Sequence, residues 1–77
     1  MQTYRIVDEA TSNEYQAATD HDAVEQFCRR YDTAEMAEGD TFTARVYRGK
    51  GLDILSAIVC VTADGKGGIS EWNLEAK

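Results

Sequence analysis

"TDHDAVEQFCRRY", residues 19–31, is the stretch of this chain that decides its fold. Apolar residues at positions 23, 24, 27, 28 and 31 recur at the spacing of one helix face. Charged or amide side chains at positions 25, 26, 29 and 30 fall on the opposite face. The stretch therefore predicts one amphipathic helix that buries a single face against the rest of the domain.

The start of this helix contains the only histidine of the chain, between two aspartates. Thr19 or Asp20 is a good N-cap, because its side-chain oxygen can accept from free backbone N–H groups two or three residues on. With Thr19 as the cap, Asp22 occupies the third helical position, where a negative charge is favoured. Consecutive helical positions point about 100° apart, so the triplet cannot converge on one ion. His21 could meet Glu25 one turn later, but two ligands are too few, and we predict a cap with no metal and no catalytic residue.

Segments with β-strand character lie on both sides of the helix. Two precede it, and three follow it: "TYRIVDEA" (3–10), "EYQAAT" (14–19), "TFTARVYR" (41–48), "LDILSAIVCVTA" (52–63) and "ISEWNL" (69–74). Turn-forming "TSN" and "DGKGG" separate the outer pairs, and the long apolar run 52–63 is typical of an interior strand. The predicted order is ββαβββ, an α+β fold in which one helix packs on one face of an antiparallel sheet, with 1–77 as a single domain.

Two local structures stay open at this level. The segment 32–40 either adds a helical turn with Thr33 as a new cap or forms a loop, and Gly39 ends anything helical. In the strand 41–48, alternation places Arg45 and Tyr47 on the face away from the helix. Either of two sets from the next strand joins them there: Ile54, Ile58 and Cys60, or Leu55, Val59 and Val61. The resulting face is either a partner or homodimer surface or is covered by its own long side chains.

Composition bounds the class of protein. Seventy-seven residues, of which 43% are hydrophobic, suffice for one core but not for a deep pocket between two layers. The first ten residues lack a basic stretch followed by an apolar run, and no segment approaches the length of a membrane span. We therefore expect a soluble, cytoplasmic protein with no membrane contact. In that reducing compartment, Cys28 and Cys60 are predicted to be two reduced thiols of the core rather than a disulfide.

Enzyme chemistry is not indicated by any motif. The glycine clusters "RGKG" and "DGKGG" have strands on both sides and lack the Lys-Ser/Thr ending of a phosphate loop, so hairpin turns are favoured. Nucleophilic catalysis needs a base beside the nucleophile, and the single histidine is assigned to the helix start. We predict a protein that is not an enzyme and takes no cofactor.

The charge of the chain is uneven. Residues 8–40 carry ten acids against two arginines, whereas residues 41–77 carry four acids against five bases. The acids either keep this half solvated or form a surface that competes for a basic, nucleic-acid-binding site on another protein. Direct binding of nucleic acid through the basic residues of 45–66 is disfavoured by the net charge of −6. The candidate partner-binding residues are Asp20, Asp22, Glu25, Asp32, Glu35 and Glu38, with Arg45 and Tyr47 on the sheet face.

The chain as a whole is similar to a class of small proteins. The chain is acidic and has a hairpin with a tyrosine in each arm ("TYRIV", "EYQAA"), an "ATD" start to one helix and three further strands. In these features it resembles small proteins of phages and mobile elements, anti-CRISPR inhibitors among them. The resemblance implies a stoichiometric inhibitor that binds a nucleoprotein complex and blocks its DNA site. The alternative is a homodimeric structural or accessory domain that self-associates through its open sheet face.

Overall fold

The computed structural model describes residues 1–77 and confirms the predicted α+β class. Its elements are β1 (Gln2–Val7), β2 (Ser12–Ala17), α1 (Asp20–Arg30), β3 (Thr41–Arg48), β4 (Ile54–Ala63) and β5 (Ile69–Ala76). The five strands form one sheet in the order β2-β1-β3-β4-β5, and every neighbouring pair is antiparallel. Because β1 lies between β2 and β3, the connection through α1 returns the chain to the middle of the sheet.

The core lies between α1 and one face of the sheet. Ala23, Val24 and Phe27 of the helix are buried, as the helical spacing predicts. The Phe27 ring is 5.1 Å from the Tyr31 ring and 6.4 Å from the rings of Tyr15 and Phe42. These aromatic rings pack together at the C-terminal half of α1 and form that end of the core.

The open choice in β4 is decided by a β-bulge. Val46 lies opposite Ala57 but Tyr47 lies opposite Leu55, so Ser56 is an extra residue on β4. The alternation changes phase at Ser56, and neither predicted set reaches the open face as a whole. That face receives Leu55, Ile58 and Cys60, while Val59 and Val61 are fully buried under the helix.

The segment 32–40 is a loop, so the alternative of an extended helix with Thr33 as a cap is wrong. Thr33 is buried, and its backbone N–H donates to the carbonyl oxygen of Gly67 (3.3 Å). Its hydroxyl donates to the carbonyl oxygen of Gly68 (2.6 Å). These bonds to the β4–β5 hairpin replace the hydrogen bonds that another helical turn would make.

Both cysteines are free thiols, but only one of them lies against the core. Cys28 is half-buried and packs on the core cluster. Burial, and secondarily the nearby Glu25 carboxylate, raise the pKa of Cys28 to about 11. Cys60 is exposed, so its prediction as a core thiol is wrong. The alternation of β4 turns its side chain to the face that no helix covers.

Candidate protein-binding surfaces

The Asp-His-Asp triplet serves the start of α1. The Thr19 hydroxyl oxygen accepts a hydrogen bond from the Asp22 N–H (3.2 Å), which confirms the predicted N-cap. The His21 ring lies 4.8 Å from the Trp72 ring on β5, and its Nδ1 is 3.5 Å from Oε1 of Glu25. Thr19 therefore caps the helix, and the triplet forms its first turn, which His21 packs on β5.

Three of the six predicted acidic site residues have partners within the domain. Asp20 Oδ2 accepts from the Ser56 hydroxyl (3.3 Å), and Asp32 Oδ1 accepts from the Ala34 N–H (2.9 Å). Glu25 Oε2 is 3.3 Å from the guanidinium of Arg29. These carboxylates stabilise the helix and the turn that follows it. Of the three, only Glu25 is paired with an arginine.

The other three predicted acids have no such partner. Asp22, Glu35 and Glu38 are exposed, and their carboxylates make neither a hydrogen bond nor an ion pair. Asp22 lies in the first turn of α1, whereas Glu35 and Glu38 lie in the loop after it. An eleven-residue helix is about 16 Å long, so the free acids lie near its two opposite ends rather than in one cluster.

Arg45 and Tyr47 lie together on the open face of the sheet, as their alternation predicts. The Arg45 guanidinium carbon is 5.9 Å from the centre of the Tyr47 ring, within the range of a cation–π contact. Leu55 and Ile58 of β4 are half-buried opposite them. No second layer of the chain covers this face, which carries apolar and basic groups on β3 and β4 and acidic groups on β5.

The two edges of the sheet differ, a feature that the sequence analysis missed. At β2, the side-chain amide of Gln26 donates to the Gln16 carbonyl oxygen (2.8 Å), and the guanidinium carbon of Arg30 lies 5.7 Å from the centre of the Tyr15 ring. Tyr15 and Ala17 are both buried there. The helix therefore covers the β2 edge near Gln16.

The β5 edge is left half-covered. Its helix-facing side chains Trp72 and Leu74 are half-exposed, although their partners on β4, Val61 and Val59, are fully buried. Alternating acids and apolar residues in "SEWNLE" (70–75) were the available signal. This alternation indicates a partly exposed surface only once β5 is known to be an edge strand.

The β1–β2 turn is held by one carboxylate. Asp8 Oδ1 accepts from the N–H groups of Ala10 (2.7 Å) and Thr11 (2.6 Å), whereas its Oδ2 is buried without a hydrogen-bond partner. Burial, and then the neighbouring Asp8 carboxylate, raise the pKa of the Tyr31 phenol. These contacts explain why Asp8, although part of the acidic half, is not a free surface charge.

Comparison of the chain with known protein families, curated proteins and solved structures finds no match. The eleven-residue helix is too short and too polar to cross a membrane. No three histidine, cysteine or carboxylate side chains lie in an arrangement that would hold a metal ion.

Proposed function

We propose that this protein is a non-enzymatic protein-binding domain whose acidic helix and loop bind a basic, nucleic-acid-binding surface of another protein. The observation that carries the proposal is the set of free, exposed carboxylates of Asp22, Glu35 and Glu38. Residues 18–40, which include these three, hold seven acids and two arginines. Carboxylates without internal hydrogen bonds or ion pairs are free to contact a partner's lysines and arginines.

The electrostatics of such a pair favour inhibition. A protein of net charge −6 is drawn to the same positive potential that attracts nucleic acid, and this attraction raises the rate of association. Occupying that surface excludes nucleic acid from it. A cytoplasmic inhibitor of a nucleoprotein complex, of the anti-CRISPR kind that the chain resembles, is the form of this function that we propose.

The test starts from a partner captured on the immobilised protein and identified by mass spectrometry. Binding kinetics are then measured for the wild type and for Glu35→Lys with Glu38→Lys. The matched control is Glu9→Lys with Asp53→Lys, which changes net charge equally at two exposed acids elsewhere. We expect the loop variant alone to lose about tenfold in on-rate, and the wild-type on-rate to fall as salt shortens the screening length below about 8 Å.

Competition with nucleic acid completes this test. Duplex DNA added to the purified partner should displace the wild-type protein. The proposal would be contradicted if the two variants had equal effects, if salt did not weaken binding, or if DNA did not compete. Each of these results would mean that the loop carboxylates do not mediate the contact.

A homodimeric accessory domain is the second candidate, favoured by the uncovered sheet face. Tyr47, Leu55 and Ile58 leave apolar surface there without a second layer. If two copies pack through this face, Tyr47→Ala should weaken the dimer by about 1–2 kcal/mol, with little change in monomer stability. Sedimentation equilibrium over a range of concentrations measures this, with Asn13→Ala, an exposed residue on the other side of the sheet, as the control. A monomer at every concentration would rule the dimer out.

A further inference from the structure

We propose that the β5 edge is a docking site for an extended segment of the partner, which adds as a sixth strand. The segment would alternate basic and apolar side chains. The inference rests on the proposed function in one respect, that the partner is basic, and it assigns the contact to a different part of the molecule from the acidic loop.

The backbone of β5 offers unpaired groups at regular intervals. Lys77 donates its N–H to the Ser56 carbonyl oxygen (2.9 Å), in the register that pairs Glu75 with Ile58 and Asn73 with Cys60. Bonded and non-bonded pairs alternate along an antiparallel ladder. The odd-numbered residues of β5 therefore bond to β4. The N–H and C=O groups of Trp72 and Leu74 point away from the sheet, as strand addition requires.

The helix side of this edge accepts apolar side chains. A groove of about 510 Å³ lies between α1 and β5, and the apolar residues lining it are Cys28, Ile69 and Trp72. Its other lining residues are polar or charged: Glu25, Arg29, Ser70 and Glu71. Each of the three apolar residues is only half-buried, and so is Leu74 further along the strand. A neighbouring strand would place alternate side chains over this groove, and burying apolar groups there completes the core that α1 leaves open.

The other side of the edge calls for basic side chains. Glu71, Asn73 and Glu75 all project from the open face, and all three are exposed. Glu71 has no ion-pair partner, and Glu75 has only the exposed Lys77 at 3.2 Å. Opposite charges directly across two strands stabilise the pairing, whereas like charges destabilise it. The complementary segment therefore carries lysine or arginine at every second or fourth position.

The same charges disfavour a second copy of the chain in the register centred on Asn73. If two β5 strands pair antiparallel about Asn73, Glu71 of each copy lies opposite Glu75 of the other. Two like-charge pairs then face each other directly. The β2 edge is less free, because Gln26 already donates to its Gln16 carbonyl oxygen. A basic partner segment satisfies both the backbone and the side chains of β5.

The experiment uses the full chain and the synthetic peptide acetyl-Lys-Val-Thr-Val-Lys-Val-amide. We expect NMR shift changes confined to β5 and the α1–β5 groove, slower hydrogen exchange of the Trp72 and Leu74 amides, and a change in the fluorescence of Trp72, the only tryptophan. Glu71→Lys with Glu75→Lys should weaken binding by about tenfold. Glu35→Lys with Glu38→Lys should leave the peptide affinity unchanged.

Peptide chemistry supplies arms that do not depend on any variant. N-methylation of the residues whose N–H faces β5 should abolish binding, whereas N-methylation of the alternate residues should be tolerated. Equal loss for both methylated peptides, or shifts that map to the loop 32–40 or the open face, would overturn strand addition. A failure here leaves the loop-variant kinetics untouched, so it is distinct from a failure of the proposed function.

Discussion

The Thr33 hydroxyl donates a 2.6 Å hydrogen bond to the carbonyl oxygen of Gly68, 35 residues later in the chain. Thr33 is only 1% exposed, so the bond is shielded from water. It joins the loop after α1 to the hairpin that leads into β5. The free acids of the loop and the β5 edge are thereby held in one framework.

Replacing Thr33 with Val should lower the free energy of unfolding by about 1 kcal/mol. The side-chain volume is kept and only the hydroxyl is lost, while Gly68 still accepts from the Asp64 N–H (3.2 Å). Urea denaturation of Thr33→Val, with the exposed Thr43→Val as the control, measures the difference. Equal midpoints for both variants would show that the bond contributes nothing.

Replacing Phe27 with Ala should lower the free energy of unfolding by about 3–5 kcal/mol, the usual cost of removing a buried aromatic ring. Phe27 is 1% exposed and contacts three other aromatic rings. Such a loss threatens a domain of this size. Thermal unfolding monitored by circular dichroism gives the result, and Phe27→Leu should fall between the two. An unchanged melting temperature would contradict the packing of α1.

At the start of α1, the side chain of Thr19 should matter for stability, whereas His21 should have no role in binding a partner or a metal. Thr19→Ala should cost about 1 kcal/mol, because the Asp22 N–H loses its acceptor, whereas Thr19→Ser should keep most of the stability. His21→Ala should leave partner binding intact, and calorimetry should show no stoichiometric zinc or manganese. Metal binding in the wild type that is absent from His21→Ala would overturn the assignment of the triplet to capping.

The two thiols should differ in reactivity and in their link to stability. At pH 8, a thiol reagent should modify the exposed Cys60 quickly and the half-buried Cys28 slowly, because the pKa of Cys28 is raised to about 11.

Between pH 9 and 11 the unfolded chain loses the Cys28 proton before the folded one. The Cys28 contribution to stability therefore falls as pH rises through that window. Cys28→Ser should flatten the loss of stability, and an unaltered pH profile would contradict it.

The elements of this fold follow from local patterns. Apolar residues at helical spacing predict α1 to within one residue of its end, because the same periodicity that defines a helix face decides which residues it buries. Alternation in β3 likewise places Arg45 and Tyr47 on the open face. In β4 the same reasoning fails, because the extra residue at Ser56 moves the side chains before it to the opposite face of the sheet from the one that alternation predicts.

The candidate surfaces were less predictable than the elements. The sequence shows which residues are acidic, but not that Asp20 and Asp32 accept hydrogen bonds while Asp22 and Glu35 accept none. Those bonds depend on which groups the folded chain brings within about 3 Å. The sequence therefore gives the number of acids, but not which of them are tied to internal hydrogen bonds.

By itself, the sequence determined the order of the elements, the buried face of α1, a cap at Thr19 or Asp20 and the excess of negative charge, since each depends on residues close together in the chain. Only the tertiary structure decided the strand order, the burial of Thr33 and the exposure of Cys60. It also decided that β5 is an edge strand that α1 leaves half-covered. The physical reason is that hydrogen bonds and packing between distant segments select one arrangement among several that the local patterns allow equally.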